Sequence, residues 1–227
     1  MYNYFFKSVI ILLKKLIIYK LSRNIKFYVT SSVPPLENFV ALDKYQELNL
    51  LKENHEIIRL ELNHILEKGF WSNYDDLHKK DIFRNNDIKT VMNELTKSES
   101  KVNEETINPK WKVFGLIFNK NIIESNEKLC PKTIQLLKSI PCIINAGFSC
   151  LEPNKSTDIH SDNNKDFYRY QLPLIVPNGD TGFKVNNESI KYKVNEPFIF
   201  DDCNEHQAWN YTNKIRVVLI CDIERKT

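Results

Sequence analysis

Between residues 143 and 223 turn signals recur so often that no long helix fits. The segments between them are short and rich in Val, Ile, Phe, Tyr and Trp. They read as strands over 143–151, 169–176, 182–185, 190–194, 197–200, 207–211 and 215–223. Pro177-Asn-Gly-Asp, Asn186-Asn-Glu and Thr212-Asn-Lys supply turns between them. Seven short strands in about 80 residues predict a β-sandwich or jelly roll.

The chain upstream differs in character. Residues 42–67 carry Leu48, Leu51, Ile57, Ile58, Leu60, Leu62, Ile65 and Leu66 at helical spacing, which predicts one or two helices ending near Gly69. Residues 72–109 are polar, with a short helix expected at 88–96. A strand is expected at 111–119, and a short helix at 131–139 with Pro131 in its first position. No internal repeat marks a solenoid. The fold class predicted is therefore mainly β: a double-stranded β-helix (jelly roll) core over about 111–223, flanked by N-terminal helices, in a single domain spanning 36–227.

Residues 1–30 stand apart, with Ser31-Ser-Val-Pro-Pro as a linker. The segment 4–21 is apolar but interrupted by Lys7, Lys14, Lys15 and Lys20, too many charges for an ordinary spanning helix. On a helical wheel Lys7, Ser8, Lys14 and Lys15 fall within roughly one third of the circumference. A basic amphipathic helix of this kind lies in a membrane interface. A signal or signal-anchor and a helix packed on the domain are the other readings. They place the protein at a membrane or in the cytoplasm, with the endoplasmic reticulum lumen following from a signal-anchor.

Lys+Arg minus Asp+Glu is 32 − 29 = +3, too balanced for a dedicated nucleic-acid binder, and none is expected as partner. A mean hydropathy of −0.42 excludes a polytopic membrane protein. The five cysteines form no CxxC and are odd in number, which suits free buried thiols in a reducing compartment. Asn154, Asn187 and Asn210 open glycosylation sequons, which an Asn-rich chain produces by chance.

The chemistry resides in the β region. Of the five histidines, His55, His64 and His78 lack metal-ligand spacing and read as surface or packing residues. His160 and Asp162 stand at i and i+2, so in an extended segment an imidazole and a carboxylate point the same way. His206 comes from a distant strand. Two histidines and one carboxylate leave adjacent positions open on Fe(II), as in non-haem oxygenases. Cys203 lies in a loop three residues from His206 and is not included. Arg216 interrupts an apolar strand, where an unpaired charge is costly and must find an anion. A guanidinium grips a carboxylate through two hydrogen bonds, and the distal carboxylate of 2-oxoglutarate is the natural candidate. Arg169 is a second such arginine, with a local ion pair as its alternative. Trp111 and Trp209 are candidates to wall the pocket.

These residues resemble a known family. Phe200, Asp201, Asp202, His206, Trp209 and Asn210, followed by Arg216 ten positions after the histidine, look like the second-histidine motif of the aspartyl/asparaginyl β-hydroxylases. Phe148, Ser149, Leu151, Pro153, His160 and the run from Arg169 to Pro177 follow the first-histidine half in the same order. Trp111-Lys-Val-Phe and Cys130-Pro-Lys-Thr add further matches, and the resemblance spans about 111–223.

The resemblance implies iron at His160 and His206, and 2-oxoglutarate contacts at Ser149, Arg169, Arg216 and Trp111. Two positions depart from the pattern. Asp162 stands where the animal enzymes have Gly, and it either completes the metal set, the expectation adopted here, or stands behind a water. Gln171 stands where the family usually has His, and its amide can still hydrogen-bond a cofactor carboxylate. The activity implied is that of an Fe(II)/2-oxoglutarate-dependent dioxygenase. O2 is consumed, 2-oxoglutarate is decarboxylated to succinate, and a C–H of a protein Asp/Asn side chain or a lipid acyl chain is hydroxylated. The competing readings are a non-catalytic jelly-roll binding module and a cupin-type metal enzyme without 2-oxoglutarate.

Overall fold

The computed structural model describes residues 37–68, 71–74, 88–96, 110–162 and 165–226. The expected helix at 4–21, the linker at 31–35 and His78 lie outside them. The described residues all belong to one unit, Leu36–Thr227. Its strands are β1 (Phe39–Val40), β2 (Ser72–Asn73), β3 (Trp111–Phe118), β4 (Asn121–Ile122), β5 (Ile143–Leu151) and β6 (Lys155–Ser156). They continue with β7 (Phe167–Ile175), β8 (Thr181–Val185), β9 (Glu188–Lys191), β10 (Phe198–Phe200), β11 (His206–Asn210) and β12 (Arg216–Glu224).

The strands form two antiparallel sheets. The larger runs β1-β10-β7-β12-β5-β3-β2, with β4 paired to β3, and the smaller runs β6-β11-β8-β9. The mainly β, jelly-roll architecture with flanking helices is thus the one the sequence predicts. All seven expected C-terminal strands are present. The helix expected at 131–139 is present as Pro131–Lys138. The 42–67 expectation resolves into a 3-10 segment, Leu42–Leu48, and the helices Asn49–Glu53 and His55–Lys68.

β5, β7 and β12 are buried along almost their whole length because the large sheet is covered on both faces. One cover is helical: Tyr45, Leu51, Ile58, Leu62 and Ile65 pack with Ile134 and Leu137 against Tyr170, Leu172 and Leu219. The other is the small sheet, whose Phe183, Val185 and Ala208 meet Leu151, Phe200 and Val218. The helix Pro131–Lys138 has no capping side chain of its own at Cys130. Glu61 supplies the cap from the helix it packs on, accepting from the Lys132 and Thr133 amides at 3.0 and 2.7 Å.

One expectation is corrected. Trp209 does not wall a pocket. It faces outward on β11, lies over Gly182 and donates its indole hydrogen to Asp180 at 2.9 Å. A Cβ at Gly182 would fall 2.1 Å from the Trp209 ring, so only glycine admits this packing. The Asn210 sequon is sealed inside, its amide donating to the carbonyls of Leu151, Glu152 and Lys214. Cys130, Cys142, Cys150 and Cys221 are buried free thiols and Cys203 is half-buried. No helix among the described residues is long and apolar enough to cross a membrane.

Candidate active site

The two sheets enclose a small cavity that opens to solvent. Trp111, Ser149, His160, Arg169, Gln171, His206 and Arg216 line it, together with Thr157, Phe183, Phe200, Ala208 and Ile220. Sequence reasoning singled out the first seven. His55 and His64 are not among the lining residues.

The two histidines meet across an isolated β-bridge. The His160 amide donates to the His206 carbonyl at 3.2 Å, the reverse bond is 2.8 Å, and the ring centres stand 4.3 Å apart. Each ring is oriented in the same way. Nδ1 of His160 lies 2.7 Å from the Asp158 carbonyl, and Nδ1 of His206 lies 2.9 Å from the Asn204 carbonyl. A carbonyl only accepts, so Nδ1 carries the hydrogen and the neutral ring keeps its lone pair on Nε2. Burial, reinforced by His160, pushes the His206 pKa down to about 3. A neutral imidazole with Nδ1 tied to a carbonyl is what a metal ligand requires.

Asp162 lies beside Arg169. Its Oδ2 lies 3.5 Å from Nη1 of Arg169, and its backbone amide donates to the Asp202 carbonyl at 2.9 Å. Among the described residues no three His, Cys, Asp or Glu side chains are arranged to hold a metal ion. The histidine pair is assembled, and the third candidate ligand stands 3.5 Å from the Arg169 guanidinium.

Arg169 is at the centre of a carboxylate cluster that sequence reasoning did not assemble. Its Nε donates to Asp222 at 2.8 Å, and its Nη1 lies 2.9 Å from Asp202, whose Oδ1 is 3.3 Å from Nε2 of His206. Burial pushes the Asp202 carboxyl well above the usual range, against the pull of Arg169. Asp162 is half-buried, which works to raise its carboxyl, yet the charge of Arg169 holds it below that range. Asp202 lay within the quoted motif without a role, and nothing local in the sequence marked Asp222.

Arg216 is the contrasting case. It is 2% exposed, and no carboxylate pairs with it among the described residues. Its Nε has no acceptor, Nη1 reaches only the Ser149 carbonyl at 3.5 Å, and its Cζ stands 4.9 Å over the Tyr192 ring. Ser149 Oγ accepts from the Trp111 indole at 2.8 Å, which leaves its own hydrogen for another acceptor. A buried guanidinium without an anion, beside a hydroxyl with a hydrogen to give, has the chemistry to receive a carboxylate.

The aspartyl/asparaginyl β-hydroxylase family model matches residues 52–226. The chain belongs to this family. The ornithine lipid ester-linked acyl 2-hydroxylase of Rhizobium tropici is 38% identical over 115 residues, which are 50% of this chain and 41% of that protein. The human aspartyl/asparaginyl β-hydroxylase is 26% identical over 106 residues, 43% of this chain and 14% of that protein. The chain thus matches less than half the length of either relative. Among solved structures, the cupin domain of Schizosaccharomyces pombe Cnp3 overlaps 51% of this chain and 66% of its own, with 13% identity and a TM-score of 0.36.

Proposed function

We propose that this hydroxylase-family chain is an Fe(II)- and 2-oxoglutarate-dependent dioxygenase that hydroxylates a C–H bond of a lipid acyl chain. The observation that carries the co-substrate is Arg216, a buried cation with no anion of its own. In this reading His160 and His206 present Nε2 to the iron, and Asp162 and Asp202 stand beside them as the nearby carboxylates. Arg216 and Ser149 take a carboxylate of 2-oxoglutarate. Trp111, Phe183, Phe200, Ala208 and Ile220 keep the cavity wall apolar and exclude water. When bound, the iron, 2-oxoglutarate and O2 together supply an oxidative decarboxylation that yields succinate and leaves one oxygen atom for the substrate.

An inventory of charge favours an acyl substrate over an Asp side chain. Of the cavity's two arginines, Arg169 is engaged by Asp202 and Asp222, and Arg216 is assigned to 2-oxoglutarate. No lining cation remains among the described residues for the carboxylate of an Asp side chain, whereas an acyl chain needs none. The name of the Rhizobium relative is in keeping with this choice.

The test is succinate formation from 2-oxoglutarate by the anaerobically iron-loaded chain, with ornithine lipid, phospholipid and Asp-containing peptides compared for stimulation. Iron-dependent succinate that disappears in His206→Ala and Arg216→Ala, and rises with lipid, supports the proposal. Iron binding without 2-oxoglutarate binding would leave the cupin-type reading, and binding of neither would leave a non-catalytic module.

A further inference from the structure

Tyr192 lies just past the end of β9 and is only 5% exposed. It touches two of the groups that line the cavity. The Arg216 guanidinium carbon stands 4.9 Å above its ring, and its phenolic oxygen lies 2.9 Å from Oε1 of Gln171. The first contact is of cation–π type and suits a desolvated guanidinium. The second fixes the sense of an amide. A phenol carries one hydrogen, and that of Tyr192 goes to Gln171, whose carbonyl oxygen only accepts. With Oε1 committed to the phenol, the amide hydrogens point the other way. Among the described residues the Gln171 nitrogen makes no hydrogen bond, and Gln171 lines the cavity.

The sense of that amide matters because glutamine is ambiguous. One rotamer offers a donor to an anion in the cavity, and the flipped one offers a carbonyl oxygen that would repel it. The phenol of Tyr192 excludes the flipped form, since an amide N–H facing it would leave the phenol hydrogen without an acceptor in a buried place. Gln171 stands where the resembling family usually has His. Tyr192 is the neighbour that allows the replacement to keep a donor there.

We propose that Tyr192 is a positioning residue for co-substrate binding: its hydroxyl sets the Gln171 amide as a donor to a carboxylate of 2-oxoglutarate, and its ring holds Arg216 in place. This inference rests on the 2-oxoglutarate reading given above.

The experiment is calorimetric titration of 2-oxoglutarate into the full chain loaded with Mn(II) in place of iron, so that no turnover is needed. The chains compared are wild type, Tyr192→Phe, Gln171→Ala, the double variant and Tyr192→Leu. Tyr192→Phe retains the ring and is expected to weaken 2-oxoglutarate about 5- to 10-fold, with Mn(II) affinity unchanged. In the Gln171→Ala background the same substitution is expected to cost nothing further, a coupling that a merely structural role would not produce. Tyr192→Leu also removes the ring beneath Arg216 and is expected to weaken binding more than Tyr192→Phe. Wild-type affinity in Tyr192→Phe, or losses that simply add in the double variant, would overturn the inference and leave the proposed function standing. A wild-type chain that binds Mn(II) but not 2-oxoglutarate would remove the co-substrate reading and this inference with it.

Discussion

Asp222 stands directly opposite Arg169 in the β7–β12 register, and its carboxylate accepts the Arg169 Nε hydrogen at 2.8 Å. The other oxygen of Asp222 accepts from Asn145 at 2.8 Å, so the carboxylate is held from both sides. Both charged side chains are nearly buried, at 11% and 13% exposure, and solvent screens them little. Truncating Asp222 strands the Nε side of a guanidinium that Asp202 and the more distant Asp162 must then hold. Asp222→Ala is expected to lower stability by roughly 2–3 kcal/mol, and Asp222→Asn by less because the amide oxygen still accepts. Urea midpoints measure this, and an unchanged midpoint for Asp222→Ala would show that Asp202 and Asp162 suffice.

Arg216 predicts the opposite sign. A buried cation without a counter-anion costs stability in the free protein, and function is the reason to keep it. Replacing it with the similarly long but apolar Met is expected to stabilise the chain by roughly 1–3 kcal/mol in the absence of co-substrate. The same variant is expected to lose 2-oxoglutarate binding. Denaturant melts of Arg216→Met with and without 2-oxoglutarate check both halves. A less stable Arg216→Met would mean that the guanidinium already has a partner worth more than its desolvation.

The difference between Arg216 and Asp222 also shows what the sequence could reveal. Arg216 announces itself, because a charge amid Ile215, Val217, Val218 and Leu219 breaks a pattern visible locally. The seven C-terminal strands were legible for the same reason, since alternation and turn residues are local signals. Asp222 meets Arg169 across 53 residues of sequence, and only the strand register brings them together. Tyr192 was equally silent, being one more aromatic residue at the end of a β-type run. The strand expected at 190–194 in fact spans Glu188–Lys191. A two-residue turn at Asn186 starts it early, and its exposed polar residues carry no β signature. The pairs Phe39–Val40, Ser72–Asn73 and Lys155–Ser156 are strands only because a longer neighbour accepts them.

The cysteines predict a pH-insensitive pattern of labelling. Burial pushes the Cys130, Cys142 and Cys150 thiols up to about 12, and Cys221 higher still. A raised thiol pKa keeps the reactive thiolate scarce until the pH approaches it, on the order of one part in 10⁴ at pH 8. Iodoacetamide is therefore expected to label native protein at the half-buried Cys203 first, with the other four protected from pH 7 to 9 and exposed by urea. Peptide mapping by mass spectrometry reads the order. Alkylation of Cys150 at the rate of Cys203 would contradict the buried placement.

Asp162 separates two ways of completing the metal site. Its carboxylate stands 3.5 Å from the Arg169 guanidinium, a contact that competes with direct ligation. Asp162→Gly is accordingly expected to weaken Mn(II) binding about tenfold, the size of a supporting contact. His206→Ala is expected to abolish it. Titration of Mn(II) followed by electron paramagnetic resonance gives both values. Equal loss in the two variants would make Asp162 a direct ligand, as the His160–Asp162 spacing first suggested.

The acyl-chain proposal carries a consequence for the N-terminal residues. A lipid substrate must be reached at a bilayer surface, and residues 4–21 have the basic amphipathic composition that binds one. Lys7, Lys14, Lys15 and Lys20 add attraction to anionic headgroups, about 1 kcal/mol each when close to the surface. The full chain is expected to sediment with phosphatidylglycerol liposomes and to be released by high salt, while a chain starting at Ser31 stays in solution. Both chains are expected to bind Mn(II) and 2-oxoglutarate alike, because the lining residues all lie downstream. Equal sedimentation of the two would remove the anchor and shift the search for a lipid contact to the hydroxylase domain itself.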